Sequence, residues 1–330
     1  MNRRQFVVGL GAAPFAAGAA AQPLRPLVAI LSPASPRNEM AMRTVHQPFK
    51  EALRKLGYEP GRNVDIVERF AEGDESRLPA LAAELVALQP QVLFTNTSYA
   101  ASVAARATRG IPIVVGPAGE HVLRELAGGS LARPTTNVTG FVLGSAEIDD
   151  KCITLLMEAV PAAQRVGVLM NPRNPGQQRH TAALEGASAV RGKTLVRLES
   201  GGLADIDAAL ASAAQQRLGS LFVADDAHLA GDPEVRRRVL RFAAGAGIAV
   251  ASSRQDYVRE GALLTLGPSI PALAASAAGY VDRILKGEHP SDLPIQLPTV
   301  LTVTVNLNTA QTLGLKIPQA LLLRADEVIQ

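Results

Sequence analysis

The sequence predicts an α/β protein of two doubly wound parallel-sheet lobes joined by a multi-strand hinge. From Leu27 onward, short apolar runs alternate with segments of helical periodicity. This alternation is typical of parallel sheets covered by helices. It occurs twice, over roughly 120 residues each time, which is an ordinary domain size. Two successive lobes of the same architecture are therefore expected.

In the first half, four apolar runs predict strands at residues 27–31, 64–68, 92–94 and 111–115. Such short continuous runs indicate strands that are buried on both faces. Helical spacing predicts a helix from about Val45 to Leu56, stopped at Gly57, and another that Pro90 closes. Because Pro48 lies inside the first of these patterns, the helix is expected to start or kink there.

The second half repeats the pattern, and the tail is expected to complete both sheets. Strands are predicted at residues 165–170, 194–198, 221–224 and 248–251, with helices at 177–190, 205–216 and 233–244. The tail adds strands at 263–266 and 301–305 and helices at 272–285 and 309–313. We assign residues 24–142 and 262–298 to lobe 1 and residues 143–261 and 299–330 to lobe 2. The first crossing between the lobes is expected near residues 139–142.

The first 21 residues have the three parts of an export signal. Arg3 and Arg4 precede a mildly apolar run, and Ala19–Ala21 offers a cleavage site before Gln22. The two arginines followed by Gln5 and Phe6 resemble a twin-arginine signal, and the alternative is a Sec signal that carries two arginines. Cleavage near Ala21–Gln22 predicts a periplasmic protein.

Composition narrows the classes of function. Lys and Arg total 33 against 30 Asp and Glu, so removal of Arg3 and Arg4 leaves a nearly neutral chain. This balance excludes a nucleic-acid footprint despite a sequence pI near 9.2. The single cysteine, Cys152, excludes an internal disulfide and is read as a small buried apolar residue.

Motifs for cofactors and catalysis are missing from the sequence. The five histidines have no metal-ligand spacing, so no metal site is expected. The first strand ends in SPASP rather than GxGxxG, and there is no phosphate-binding GxxxxGK[ST] loop or GxSxG elbow. No cofactor is therefore predicted.

Small polar residues cluster where the predicted strands end. Open parallel sheets bind ligands outside the carboxyl ends of their strands, where the strand order reverses. That rule selects candidate ligand-binding residues from both halves: Ser32, Ser35, Thr95, Asn96, Thr97, Ser98, Gly116, Asn171, Asn174, Asp225, Asp226 and Ser253.

These side chains suit a small zwitterion held between the lobes. Hydroxyls at a helix start favour a carboxylate, and a carboxylate from the opposite lobe favours an ammonium group. The alternative for each Ser, Thr, Asn or Asp is simple helix capping. The adjacent pair Asp225 and Asp226 is harder to explain by capping alone. Tyr99 is placed either to stack on a ligand or to lie exposed on a first helical turn.

Several long stretches carry a resemblance to a known family. They are LRKLGYEPGRNVDIVERFAEGDESRLPALAAELV, SLARPTTNVTGF, RVGVLMNPRNPG, YVDRILKGEHPSDLPIQLPT and NLNTAQTLGLKIPQALLLRADEVI. The chain resembles the substrate-binding proteins of ABC transporters, in the group that includes tryptophan- and tyrosine-type binding proteins. The resemblance covers nearly all of the chain from about Leu27. The loop after Gly116, residues 117–130, departs from the family pattern.

The resemblance implies a type I periplasmic-binding fold that closes on a small solute at a hinge. It implies a monomeric receptor that captures an amino acid or small carboxylate and delivers it to ABC permease subunits in the inner membrane. It also places Ser32, residues 95–98, Asn171 and Asp226 at the family's ligand positions. Two alternatives remain, an enzyme with an unrecognised active site and a regulator, which would need a DNA-binding N-terminus in place of the signal.

Overall fold

The first sheet is five-stranded, parallel throughout and ordered β2-β1-β3-β4-β5. The computed structural model describes residues 25–174, 177, 181, 185, 192–226 and 229–330. The predicted export signal and most of the predicted helix 177–190 lie outside these residues. The strands are β1 (Leu27–Ser32), β2 (Asp65–Phe70), β3 (Val92–Thr95), β4 (Ile113–Gly119) and β5 (Val138–Gly144).

Helices cover both faces of this sheet. The α-helices of the first half are Glu39–Ala41, Gln47–Lys55, Leu78–Ala87, Ser98–Ala107 and Glu120–Leu126, with a π-helix at Met42–His46 and a 3₁₀ turn at Glu75–Arg77. The helix Ile270–Leu285, from the tail, packs on Gln47–Lys55 and on β4. Apolar side chains from both halves of the chain therefore build the lobe 1 core.

The second sheet is seven-stranded, in the order β12-β11-β10-β9-β8-β6-β7. Its strands are β6 (Arg165–Met170), β7 (Thr194–Glu199), β8 (Ser220–Val223), β9 (Ala249–Ser252), β10 (Leu264–Pro268), β11 (Leu301–Asn306) and β12 (Glu327–Ile329). Only the β10–β11 pair is antiparallel among the described pairings. The predicted α/β class with two parallel-dominated sheets is confirmed.

The helices of the second half cover the second sheet. The helices with described bounds are Ala146–Ala159, Ile206–Gln215, Pro233–Ala246, Gln255–Arg259, Leu307–Thr312 and Gln319–Leu322. A 3₁₀ turn at Pro290–Asp292 instead contacts β5 of the first sheet. The helix Ala146–Ala159 and the strand β5 were not predicted. This helix begins after its N-cap, Ser145. Its first turn is acidic, which makes the apolar face formed by Ile148, Cys152 and Leu156 hard to recognise in the sequence.

The chain crosses between the two sheets three times. The crossings follow β5 at Gly144, follow β10 at Pro268, and precede β11 near Val300. The first crossing thus lies just beyond the predicted 139–142, which is paired within β5. The stretch 262–298 was assigned to lobe 1, but its strand β10 pairs with β9 in the second sheet. Only the part after Pro268, including the helix Ile270–Leu285, packs on the first sheet.

A π-helical turn precedes the Pro48 helix. Pro48 has no N–H to give to the carbonyl four residues back, and its ring would crowd that carbonyl. The helical turn widens into a π-turn instead, in which the Gln47 N–H donates to the Met42 carbonyl, five residues back. The predicted start or kink at Pro48 is therefore a helix start after a π-turn, and this turn directs His46 into the interior, where it is 1% exposed.

Candidate functional site

The strand order reverses once in each sheet, between β1 and β3 and between β6 and β8. Crevices open outside the carboxyl ends of strands at such points. In lobe 1, Leu31 pairs with Thr95, so Ser32 and Asn96 follow side by side on adjacent strands. The Thr95 hydroxyl donates to the Leu31 carbonyl at 2.9 Å. Thr95 therefore ties the two strand ends together.

Asn96 carries an unpartnered polar atom at this edge. Its side chain is 9% exposed, and among the described residues its Oδ1 atom has no hydrogen-bond partner. A buried acceptor without a partner is unfavourable by about 1–3 kcal/mol. Such an atom at a strand-order reversal is a candidate for satisfaction by a ligand or a water molecule.

The Ser32 hydroxyl belongs to a buried polar chain. His46 Nε2 lies 3.0 Å from Ser32 Oγ, and His46 Nδ1 lies 3.2 Å from Glu68 Oε1. Lys50 pairs with the other Glu68 oxygen. Burial alone would raise the pKa of the Glu68 carboxyl, but the hydrogen bonds from His46 and Lys50 outweigh it and hold this pKa below its ordinary value.

Thr97 is a strained cap at the end of β3. Its backbone has φ 73° and ψ 150°, and its hydroxyl accepts from the Ala100 N–H at 3.4 Å to cap the helix Ser98–Ala107. A β-branched residue rarely adopts this conformation, which costs on the order of 1–3 kcal/mol. Strain of this kind persists where surrounding structure imposes it, often at ligand sites.

Ser98 and Ser35 lie at the same edge of the sheet. Ser98 Oγ accepts from the Gly119 N–H at 3.0 Å, so its own proton remains a donor. Ser35 Oγ accepts from the Arg37 N–H at 3.2 Å, inside the loop that follows β1. Both residues are half-buried. Neither serine is the N-cap of the neighbouring helix, since Asn38 and Thr97 have those positions.

Gly116 lies inside β4 rather than after it. The strand continues to Gly119, with a register shift between Val115 and Pro117 that leaves Gly116 as the bulged residue. A Cβ atom there would lie 3.1 Å from the Phe94 ring, a tight contact that would require the ring to shift slightly. The segment after it, within the predicted loop 117–130, forms the helix Glu120–Leu126.

In lobe 2, Asn171, Asn174 and Asp226 meet at the β6–β8 reversal. Asn171 Nδ2 donates to both Asp226 oxygens, at 3.2 and 3.3 Å, and Asn174 Nδ2 donates to Oδ2 at 3.1 Å. Asn171 Oδ1 also accepts from the Arg173 N–H. The NP turn and the acidic position after β8 are thus one hydrogen-bonded unit, and Asp226 is held by the two amides.

Asp225, the first of the two adjacent acids, is buried beside the first crossing. Its carboxylate lies against Gly144 at the first crossing, since a Cβ at Gly144 would be 2.6 Å from Asp225 Oδ2. Burial raises the pKa of Asp225 to about 6, with neighbouring acids adding to the rise and Arg254 opposing it. The contributing acids are Asp149, Asp226 and Asp256.

Arg254 is a candidate residue that the sequence did not reveal. Its Nη1 lies 3.9 Å from Asp225 Oδ1, and its Nη2 donates to Asp256 Oδ2 at 2.9 Å. Its buried Nε has no partner among the described residues. Burial lowers the pKa of Arg254, but Asp256 and Asp225 outweigh it and raise that pKa overall. No sequence pattern identifies Arg254, because its contact with Asp225 forms only when the chain folds.

Ser253 completes the lobe 2 set at the end of β9. It is 4% exposed, and its Oγ has no hydrogen-bond partner among the described residues. The Ser253 carbonyl faces β10 so closely that a Cβ at Gly267 would lie 1.8 Å from it. Tyr99, by contrast, is 40% exposed on the first turn of its helix.

Within the described part of the chain, no group of three or more His, Cys, Asp or Glu side chains is arranged to hold a metal ion. The same residues include no helix that is long and apolar enough to cross a membrane. Cys152 is fully buried, its Sγ lies 3.4 Å from the Ser252 carbonyl, and burial raises the pKa of its thiol.

Two α/β lobes, three crossings and polar strand ends at both order reversals define the two-lobed class of solute-binding proteins. Residues 29–329 match the family described as ABC transporter substrate binding protein, and the chain belongs to that family. The resemblance predicted from the sequence is therefore confirmed. Members of this family are extracytoplasmic receptors for small solutes and work with membrane permeases.

The chain is similar to several characterised proteins. It is 22% identical over 268 residues to a tyrosine-binding protein of Clostridioides difficile strain R20291, covering 81% of this chain and 76% of the relative. A conserved domain protein of Vibrio cholerae is 26% identical with a TM-score of 0.81, covering 92% and 99% of the two chains. The Streptococcus pneumoniae ABC domain in complex with L-Trp superposes with a TM-score of 0.82 at 20% identity, covering 92% and 100%.

Proposed function

We propose that this receptor captures an amino acid or a similar small zwitterion in the cleft between its lobes and closes on it by hinge motion. Asp225 binds the ammonium group from lobe 2. The Ser98 hydroxyl and the N-terminal N–H groups of the helix Ser98–Ala107 bind the carboxylate from lobe 1. The solute favours the closed state because only that state offers it both sets of groups.

The observation that carries this proposal is the state of Asp225. It is a carboxylate with a 14% exposed side chain, and its only cation within 4 Å among the described residues is Arg254, at 3.9 Å. A buried charge requires a partner. Its contact with Gly144, where the chain passes from the first sheet to the second, supports a site between the lobes. The tyrosine and L-Trp named for two relatives give further support to an amino acid.

Thermal unfolding of the purified protein against amino acids, small carboxylates, nucleosides and sugars tests this function. A ligand present at 100 times its Kd stabilises by about 2.7 kcal/mol, a shift of a few degrees for a chain of this size. We expect an amino acid to give the shift and Asp225→Asn to abolish it. Asp207→Asn, which changes an exposed acid on lobe 2, is the matched control. A shift from sugars alone would contradict the proposal.

We propose further that the protein is a periplasmic monomer exported by the twin-arginine route and cleaved near Ala21–Gln22. Two arginines ahead of an apolar run support this route. Changing Arg3 and Arg4 to Lys should leave the precursor in the cytoplasm. Continued export of that variant would indicate the Sec route instead.

A further inference from the structure

His46 is a buried titratable group that solute binding, as proposed above, does not use. It lies at the end of the π-turn before Pro48, is 1% exposed, and packs on Phe70 with a ring-centroid distance of 5.2 Å. π-turns inside helices occur frequently at functional sites. Here the turn directs the imidazole at the carboxyl end of β1, next to the strand-order reversal.

The neighbours of His46 determine its tautomer. A Glu68 carboxylate can only accept, so the Nδ1 atom, 3.2 Å away, carries the proton of the neutral imidazole. Its Nε2 is then an acceptor, and the Ser32 hydroxyl, 3.0 Å away, donates to it. Lys50 keeps the Glu68 carboxylate ionised from the other side. Contacts with residues on β1, β2 and the helix Gln47–Lys55 therefore fix the His46 ring in its Nδ1–H tautomer.

The direction of the Ser32 proton matters for the loop that follows β1. Once its proton points to His46, Ser32 Oγ presents lone pairs to the Ala34 N–H at 3.3 Å. The same loop is joined to the residues after β2, where the Glu72 N–H donates to the Ala34 carbonyl and the Gly73 N–H to the Pro33 carbonyl. This loop, residues 33–38, follows directly from Ser32, which ends β1 on the strand next to that of Asn96.

Ser32, His46 and Glu68 are hydrogen-bonded in the order of a Ser–His–carboxylate triad. However, Ser32 is 0% exposed, and its Oγ already accepts a hydrogen bond from the Ala34 N–H. A nucleophile must reach its substrate, so this geometry indicates positioning rather than catalysis. We propose that His46, in its Nδ1–H form, is a positioning residue that locks Ser32 and the loop 33–38 in the shape the solute site requires. This inference rests on the proposed function.

Protonation of His46 would reverse only the hydrogen bond between His46 and Ser32. With a proton on Nε2, His46 donates to Ser32, and the Ser32 proton turns away from the ring, while Oγ keeps a lone pair for the Ala34 N–H. The groups that face the ring are Ser32 on β1, Glu68 and Phe70 on β2, and Lys50 on the helix Gln47–Lys55.

Long-range ¹H–¹⁵N spectra of the unliganded protein test the lock directly. We expect His46 as the neutral Nδ1–H tautomer, with Nε2 as the acceptor from Ser32. In Ser32→Ala the tautomer should persist, while the Ala34 amide should exchange with solvent about fivefold faster, as loss of a roughly 1 kcal/mol hydrogen bond predicts. An Nε2–H tautomer, or an Ala34 amide whose exchange rate is unchanged in Ser32→Ala, would overturn the proposal.

Binding of L-tyrosine and L-tryptophan tests the positioning role. His46→Phe keeps the ring against Phe70 but removes both hydrogen bonds, and it should weaken binding about tenfold, as should Ser32→Ala. His289→Phe, at an exposed histidine of lobe 1, is the matched control and should bind normally. Unchanged affinity in both lock variants would overturn the positioning role. If no amino acid binds the wild type, the proposed function fails, and the spectra decide on the lock alone.

Discussion

Gly144 and Asp225 are in contact where the chain first passes from one lobe to the other. A Cβ atom on Gly144 would lie 2.6 Å from Asp225 Oδ2 and 3.2 Å from Asp225 Cβ. Asp225, a buried acid whose pKa is raised, therefore packs on the backbone of a crossing segment. A change at either residue should affect both the proposed solute site and the hinge.

Gly144→Ala should displace the Asp225 carboxylate, because the added methyl group would overlap it. We expect solute affinity to fall at least tenfold and the free energy of unfolding to fall by about 1–3 kcal/mol. Gly279→Ala is the matched control. It lies in the helix Ile270–Leu285 with no atom within 4 Å of the added Cβ, and it should stabilise by about 0.5–1 kcal/mol. Normal binding by Gly144→Ala would contradict the contact.

Asp225→Asn should stabilise the unliganded protein at neutral pH. The folded pKa of about 6 exceeds the unfolded value, so ionisation of Asp225 destabilises the fold as pH rises from about 4 to 6. The neutral amide avoids this penalty and should add about 1–3 kcal/mol at pH 8 and nothing at pH 4. Urea unfolding at both pH values measures the difference. A stabilisation that is equal at both pH values would argue against a raised pKa.

Thr97→Gly should relieve backbone strain. Glycine adopts the φ of 73° without a Cβ penalty and serves as a helix cap nearly as well as threonine. We expect a gain of about 1 kcal/mol in the free energy of unfolding, measured by urea titration, with weaker solute binding if the strained residue shapes the site. A loss of stability would mean that the Thr97 hydroxyl contributes more than the strain costs.

Cys152 should be unreactive in the folded protein. Its thiol is fully buried and its pKa is raised, so almost no thiolate is available to an alkylating reagent. Mass spectrometry after iodoacetamide treatment should find the native chain unmodified and the urea-unfolded chain fully modified. Rapid labelling of the native protein would show that the interface between the helix Ala146–Ala159 and β9 opens readily.

Glu68→Gln should weaken the His46 chain selectively at neutral pH. The folded pKa of Glu68 lies below its unfolded value, so the carboxylate stabilises the fold above the unfolded pKa, and this contribution is lost as pH falls through the folded pKa. The variant should therefore be less stable than the wild type at pH 7 and closer to it near pH 3. Equal stabilities at pH 7 would mean that Lys50 and His46 contribute little through Glu68.

Much of the fold could be predicted because buried parallel strands have a strong local signature. Ten short apolar runs predicted strands, and each has a counterpart in the two sheets. The helix Ala146–Ala159 was missed because its acidic first turn hides the apolar face. The place of β10 was wrong because strand pairing depends on contacts between β9 and β10, which no local pattern specifies.

The sequence by itself determined the lobed α/β class, the family and the polar strand ends where a solute is proposed to bind. These follow from local periodicity and from the residues that end each strand. Only the tertiary structure decided that Asp226 is held by Asn171 and Asn174 while Asp225 lies beside Arg254 and Gly144. Adjacent acids look alike in a sequence. Their partners, and the raised pKa of Asp225, depend on burial and on groups that are distant along the chain, and only folding brings those groups together.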